Sequence, residues 1–234
     1  MMFNGRLKAI TFSYDDGVTQ DKRLIEIFDK YGLKCTFNIN SNLLGSANLL
    51  VCDGVTVAHC KPRTEEIRQI YKGHEIASHT LSHPRLTDLS DEEIINQVEN
   101  DRKALSKIAG YEVVGFAYPC GGKNYDRRVS EIIKNNTGIK YCRTIKSNHS
   151  FDIQNNLYEF KPTVGHHHEF DKMIEFGKKF VDLETDKPQI LYIWGHSYEF
   201  DIYNRWNEFE EFCKYISGRE DIFYGTNKEV LLSD

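Results

Sequence analysis

The chain has 234 residues, 40% hydrophobic and 28% charged, with 5 prolines and a formal net charge of -5. That length carries one large α/β domain or two small ones, and that composition buries a core instead of staying disordered. A mildly acidic chain without a long basic run argues against nucleic acid as a partner. No apolar stretch reaches the roughly 18 residues of a membrane helix, which argues against a membrane.

The first residues, Met-Met-Phe-Asn-Gly-Arg-Leu-Lys, lack the apolar core and small-residue cleavage site of a signal peptide. The expectation is a cytoplasmic protein, or a secreted one if a leader has been removed. Residues 7–14 read as a strand. Residues 20–31 read as a helix with Leu24, Ile27, Phe28 and Tyr31 on one face. A strand at 34–39 is followed by a polar insertion, expected to be irregular, over 41–62. A short helix (64–71) and a short strand (75–78) come next. Ser90 and Glu93 form a capping box; Ile94, Val98, Leu105 and Ile108 supply the apolar stripe, and Gly110 ends the helix. Further elements are a strand at 113–118, a helix at 126–135, strands at 140–144 and 158–164, and a helix at 170–183. The series closes with a strand at 189–194, a helix at 206–216 and a strand at 222–224. Six cysteines, Cys35, Cys52, Cys60, Cys120, Cys142 and Cys213, form no CxxC pair and are expected as reduced thiols, with Cys52 and Cys60 the pair to check.

This alternation predicts a single α/β domain over 1–234, with a parallel sheet and helices outside. Seven or eight β-α units suggest a distorted barrel of about seven parallel strands; a doubly wound open sheet is the alternative. In both, the working face lies at the carboxyl ends of the strands. Those ends hold Asp15-Asp16-Gly17, His79 and His83, Tyr118-Pro119-Cys120, Arg143, and Trp194-Gly195-His196. Asp-Gly by itself is a common turn, but two adjacent carboxylates at a strand end repel each other unless a cation offsets them. His79 and His83 are four apart, a spacing that puts both imidazoles on one side of a helical turn. One carboxylate and two imidazoles make a three-ligand set for catalytic zinc; Co2+, Ni2+ and Mn2+ are possible too.

The run Thr-Phe-Ser-Tyr-Asp15-Asp16-Gly17, followed by His79-Thr80-Leu81-Ser82-His83, resembles the first two motifs of the polysaccharide deacetylases, the NodB-homology or carbohydrate esterase family 4 enzymes. Residues 116–122 resemble a variant of the third motif, and the apolar strand ending at His196 the last. The resemblance spans about residues 8–197. It implies a NodB-like distorted barrel, one divalent ion, and hydrolysis of an N-acetyl or O-acetyl group on an acetylated sugar or oligosaccharide. By position it implies Asp15 as general base, Asp16, His79 and His83 as metal ligands, His196 as general acid, and the Cys120 amide in the oxyanion hole. Tyr118 and Trp194 are candidates for contacting substrate.

Two positions depart from the family. The third-motif arginine that holds the catalytic aspartate is replaced by Ala117, and Arg143 is expected to reach Asp15 from the next strand instead. The fourth motif has only Asp152 near it. His166-His167-His168 cannot all face one way on an extended chain; one enters the site or all lie in a polar loop. Phe200, Tyr203 and Trp206 are either sugar-stacking aromatics or core. The competing readings are an amidohydrolase of a small metabolite and a catalytically weak sugar-binding homologue. The sequence leaves the oligomeric state open.

Overall fold

The computed structural model describes residues 2–233. Among them the strands are β1 (Lys8–Asp15), β2 (Cys35–Ile39), β3 (Leu49–Cys52), β4 (Val55–Ala58), β5 (Glu75–Ser78), β6 (Gly115–Ala117), β7 (Tyr141–Arg143), β8 (Val164–Gly165), β9 (Gln189–Gly195) and β10 (Ile222–Tyr224). The helices are α1 (Asp21–Lys30), α2 (Thr64–Ile70), α3 (Asp91–Ala109), α4 (Arg127–Asn136), α5 (Phe170–Val181), α6 (Glu199–Tyr203), α7 (Trp206–Ile216) and α8 (Asn227–Leu231). None is long and apolar enough to cross a membrane.

The main sheet is parallel, in the order β7-β6-β5-β2-β1-β9-β8. It curls until one segment meets both edges: Phe160 bonds to Cys142 and Thr144 around β7, and Val164–Gly165 pairs with β9. This is the expected distorted seven-stranded barrel. The eighth strand, β10, pairs with Lys8–Ile10 of β1, while β2 pairs with the later half, Phe12–Asp15.

Strand alternation sorts the two faces. Ile10, Phe12 and Tyr14 face outward into an apolar layer with Phe28 of α1 and Phe209 of α7. Thr11, Ser13 and Asp15 face inward. The barrel floor is polar: Asn227 of α8 bonds to Thr11, Thr36 and Tyr192, and Glu75 accepts from Thr36, Tyr141 and the Lys228 amide. Each inward residue two further along its strand lies one layer higher. Thus Tyr141 leads to Arg143, Tyr192 to Trp194, and Glu75 through Ala77 to His79. The site forms on that upper layer.

Three expectations need correction. The 158–164 strand is absent: Leu157–Glu159 is a single 3-10 turn, and only Val164–Gly165 is strand. Pro162 has no N–H for a ladder, and the Gln154 side chain takes both polar groups of Lys161. The 41–62 insertion is not irregular, because β3 and β4 form an antiparallel hairpin. Its turn, Asp53-Gly54, has both φ angles positive, as a two-residue hairpin turn requires. The short helices α6 and α8 were not anticipated.

Gly177 marks the α5–α7 crossing, where an added Cβ would lie 2.3 Å from a Phe212 ring carbon. Gly→Ala inside a helix ordinarily stabilises by roughly 0.5–1 kcal/mol. Gly177→Ala is expected to do the reverse and cost about 1–3 kcal/mol through overpacking, read from chemical denaturation. A stabilised variant would contradict this packing.

Candidate active site

Asp15 ends β1 on the inward face, and Asp16 begins the loop with φ 78°. Positive φ at a non-glycine residue is strained, and such strain persists where surrounding contacts over-determine it. Thr80 (φ 70°), His83 (φ 62°) and Cys120 (φ 69°) share this state around the same opening. The two aspartates therefore diverge. Asp15 is buried and accepts from Asn38 at 2.8 Å and from Arg143. Asp16 turns toward the histidines, its Oδ1 3.6 Å from His83 Nε2 and 3.9 Å from His79 Nε2.

His79 and His83 come together through a bend, not the expected helical turn. The Thr80 hydroxyl accepts from the His83 amide at 3.0 Å and closes that bend. The last residue of β6 and the loop after it contact the two rings. His79 Nδ1–H donates to the Ala117 carbonyl at 2.8 Å, and His83 Nδ1 lies 3.7 Å from Cys120 Sγ. The carbonyl contact leaves Nε2 of His79 as the free lone pair, the tautomer a metal ligand needs. The ligand atoms of Asp16, His79 and His83 all fall within 4.8 Å of one another. Two neutral imidazoles and a carboxylate suit a divalent ion such as zinc. Burial first, then the neighbouring charges, leaves the His79 imidazole at about 4, so it is neutral at ordinary pH.

Arg143 is fully buried and donates to both oxygens of Asp15 through a single nitrogen, Nη2. The β6–β7 register explains how an arginine on this strand reaches that carboxylate: Ala117 and Arg143 are ladder partners. The residue lost at 117 is replaced directly across the ladder, and the small Ala117 leaves room. Trp194 lies over the guanidinium at 4.5 Å, so it braces Arg143. Burial opposes the charge on Asp15, but Arg143, then His79 and His196, hold its carboxyl below the usual range.

His196 follows β9 and is held from α6. Its Nδ1–H donates to Glu199 Oε1 at 2.9 Å, and its amide donates to Oε2 at 3.0 Å. Burial depresses the imidazole, but Glu199 outweighs it, with Asp16 and Asp15, and lifts it to about 9. Glu199 is buried, with His166 Nε2 2.7 Å and His167 Nδ1 3.2 Å away. His166 Nδ1 accepts from the Tyr14 hydroxyl at 2.8 Å. Of the three successive histidines, His166 is thus buried behind the site, against Gly195, where a Cβ would lie 2.5 Å from its ring. Glu199 escaped the sequence reading; its signal was the three-residue spacing after His196. Glu199→Gln should move the alkaline limb of the turnover profile down by about one unit or more, the scale of one close charge pair. An unmoved limb would show that Glu199 does not set the His196 proton.

Five of the residues singled out in the sequence lie elsewhere. The Tyr118 ring is fully buried in the layer beneath α3 and α4, stacked on Tyr125, with its hydroxyl donating to the Tyr158 carbonyl. It cannot touch substrate, because strand alternation turns it away from Ala117. Asp152 bonds to Lys187 and to Gln189 at the amino end of β9, opposite the site. Phe200 and Trp206 belong to the core, while the Tyr203 hydroxyl bonds to Asp53 at the hairpin tip. All six cysteines are free thiols. A cleft of about 650 Å³ is lined by residues 122–127 with Ile145, Lys146 and Glu159, and by none of the candidate ligands or catalytic residues.

A family model described as polysaccharide deacetylase matches residues 4–141. The chain is 30% identical over 123 residues to a peptidoglycan-N-acetylmuramic acid deacetylase of Bacillus subtilis, covering 52% of this chain and 23% of that protein. It is 26% identical over 129 residues to a peptidoglycan-N-acetylglucosamine deacetylase of Listeria monocytogenes, covering 54% and 24%. The matches thus span about a quarter of those relatives. Among solved structures, a family 4 acetyl xylan esterase from Clostridium thermocellum in complex with a cobalt ion superposes with a TM-score of 0.59 at 16% identity, covering 96% of this chain and 91% of that one. At that identity the likeness concerns the fold.

Proposed function

From the premise that the chain belongs to the polysaccharide deacetylase family, we propose that it is a metal-dependent hydrolase removing an acetyl group from an acetylated carbohydrate. One observation carries this reading above the others. The strand ends hold a three-ligand metal set and, separately, a carboxylate held by a buried arginine. A site for structural metal or for sugar binding alone needs no such second carboxylate.

Asp16, His79 and His83 would hold the ion, most simply zinc, with cobalt, nickel and manganese as other choices. An ion held there would supply a Lewis acid for the acyl carbonyl and would lower the pKa of a bound water from about 15.7 toward about 7. Asp15, ionised and oriented by Arg143 and Asn38, takes the proton of the attacking water. His196, kept protonated by Glu199, gives a proton to the departing amine or alkoxide. The Cys120 N–H, set by the loop that Asn124 holds through the Tyr118 and Cys120 carbonyls, donates to the developing oxyanion. Arg143 opposite Asp15 argues against a catalytically weak sugar-binding homologue.

The substrate class is an N-acetylated amino sugar or an O-acetylated sugar, as free oligosaccharide or polymer. Acetate release from a panel of both kinds tests this. Release from at least one acetylated sugar is expected. Release from none of them by metal-loaded protein would overturn the reading.

A further inference from the structure

We infer that His59, carried by the 41–62 insertion, is a positioning residue that fixes which oxygen of Asp16 faces the metal ion. This rests on the metal-site reading and adds to it a residue from outside the barrel.

A carboxylate offers two equivalent oxygens, and an ion can take either or both. Here they are not equivalent. Asp16 Oδ1 is the atom near His79 and His83. Asp16 Oδ2 accepts from His59 Nε2 at 3.1 Å. The hydrogen bond engages Oδ2 and leaves Oδ1 as the single ligand atom. Ligating carboxylates need such partners to keep their orientation, and Asp16 needs one more than most, since its backbone is strained. The insertion meets that need twice. Lys61 Nζ donates to the Asp16 carbonyl at 2.6 Å. His59 and Lys61 are two apart on an extended segment and so share a face.

The segment is held tightly enough for the purpose. The Cys60 carbonyl accepts from the Thr19 amide at 2.9 Å, and the Ala58 carbonyl accepts from the Gln20 side chain at 2.7 Å. Asp53 at the hairpin tip accepts from Tyr203 at 2.6 Å. The His59 ring also meets Tyr198 edge-on at 5.2 Å, and Tyr198 stacks on His196 at 5.0 Å. His59 does not belong to the set of ligand atoms within 4.8 Å of one another, so its role is to hold a ligand and not to be one.

The test is zinc affinity by competition with a chromophoric chelator, together with the visible spectrum of the cobalt form, for wild type, His59→Ala, His59→Gln and His79→Ala. Circular dichroism confirms that each variant is folded. His59→Ala should bind one equivalent about 10–100-fold more weakly, the usual effect of losing a ligand's supporting partner. It should also show an altered cobalt spectrum. His59→Gln, whose amide can donate in the same direction, should recover most of the affinity. Unchanged affinity and spectrum in His59→Ala, with His79→Ala stripped of metal, would overturn this inference alone. A glutamine variant as weak as the alanine one would also overturn it. X-ray absorption that counts three imidazoles in the wild type would replace positioning by direct ligation. Full metal in His79→Ala would instead overturn the metal-site reading beneath it.

Discussion

Replacing Asp15 by asparagine should slow turnover by about 10² to 10⁴, the usual contribution of a general base, while one equivalent of metal stays bound. Asp15 and Asp16 are adjacent in sequence yet face different partners. Asp15 is tied to Arg143 and Asn38, with His79 Nε2 3.9 Å away, while Asp16 Oδ1 lies within 4 Å of both His79 and His83. Asparagine keeps the shape and one acceptor oxygen, so the change removes chiefly the proton-accepting charge. It also leaves Arg143 buried without its counter-charge. The full loss of a buried partner costs about 3–5 kcal/mol, so a lowered melting temperature is expected alongside the kinetic defect. Asp16→Ala should lose metal and turnover together. Equal loss of metal from both variants would contradict the division of roles.

His79→Ala should remove the ion altogether, and with it nearly all activity. His79 is buried, and its Nδ1–H is committed to the Ala117 carbonyl, so its Nε2 is held toward the other two ligands. The pH dependence follows from the same environment. Burial holds the His79 imidazole down at about 4, and His83 is lowered by burial as well. Both rings thus stay neutral and able to ligate to lower pH than free imidazoles do. Metal retention measured by dialysis across a pH series should therefore persist well below pH 6.5 in the wild type. Release of metal at pH 6.5, or a His79→Ala variant that keeps its metal, would show that the donor set is wrong.

Much of this site was legible because it lies on strand ends, where a short apolar run followed by polar residues marks both the element and its working terminus. Asp15, Asp16, Arg143 and His196 were readable on that basis. The Arg143–Asp15 contact was expected from the strand order, since Arg143 ends the strand next to the one that carries Ala117. Tyr118 is not a site residue because, with Ala117 inward, its neighbour points out into the apolar layer. The residues missed altogether share another cause. His59 and Lys61 sit in an insertion judged irregular despite its Asp53-Gly54 hairpin turn. Glu199 sits on a five-residue helix too short for periodicity to reveal. Their importance arises from contacts with Asp16 and His196, which local pattern does not encode. The broken strand before β8 is similar: Pro162 was a visible warning, but the Gln154 side chain that satisfies Lys161 was not.

The central claim is that an ion on Asp16, His79 and His83 enables Asp15 and His196 to hydrolyse an acetyl group. Its most direct test is to strip the protein of metal and titrate zinc back while following acetate release from an acetylated sugar that the panel identifies as substrate. Activity should be absent at the start, rise in proportion to added zinc, and level off at about one equivalent, the number one three-ligand site can hold. Undiminished acetate release from the metal-free protein, or activity that ignores the added ion, would contradict the account.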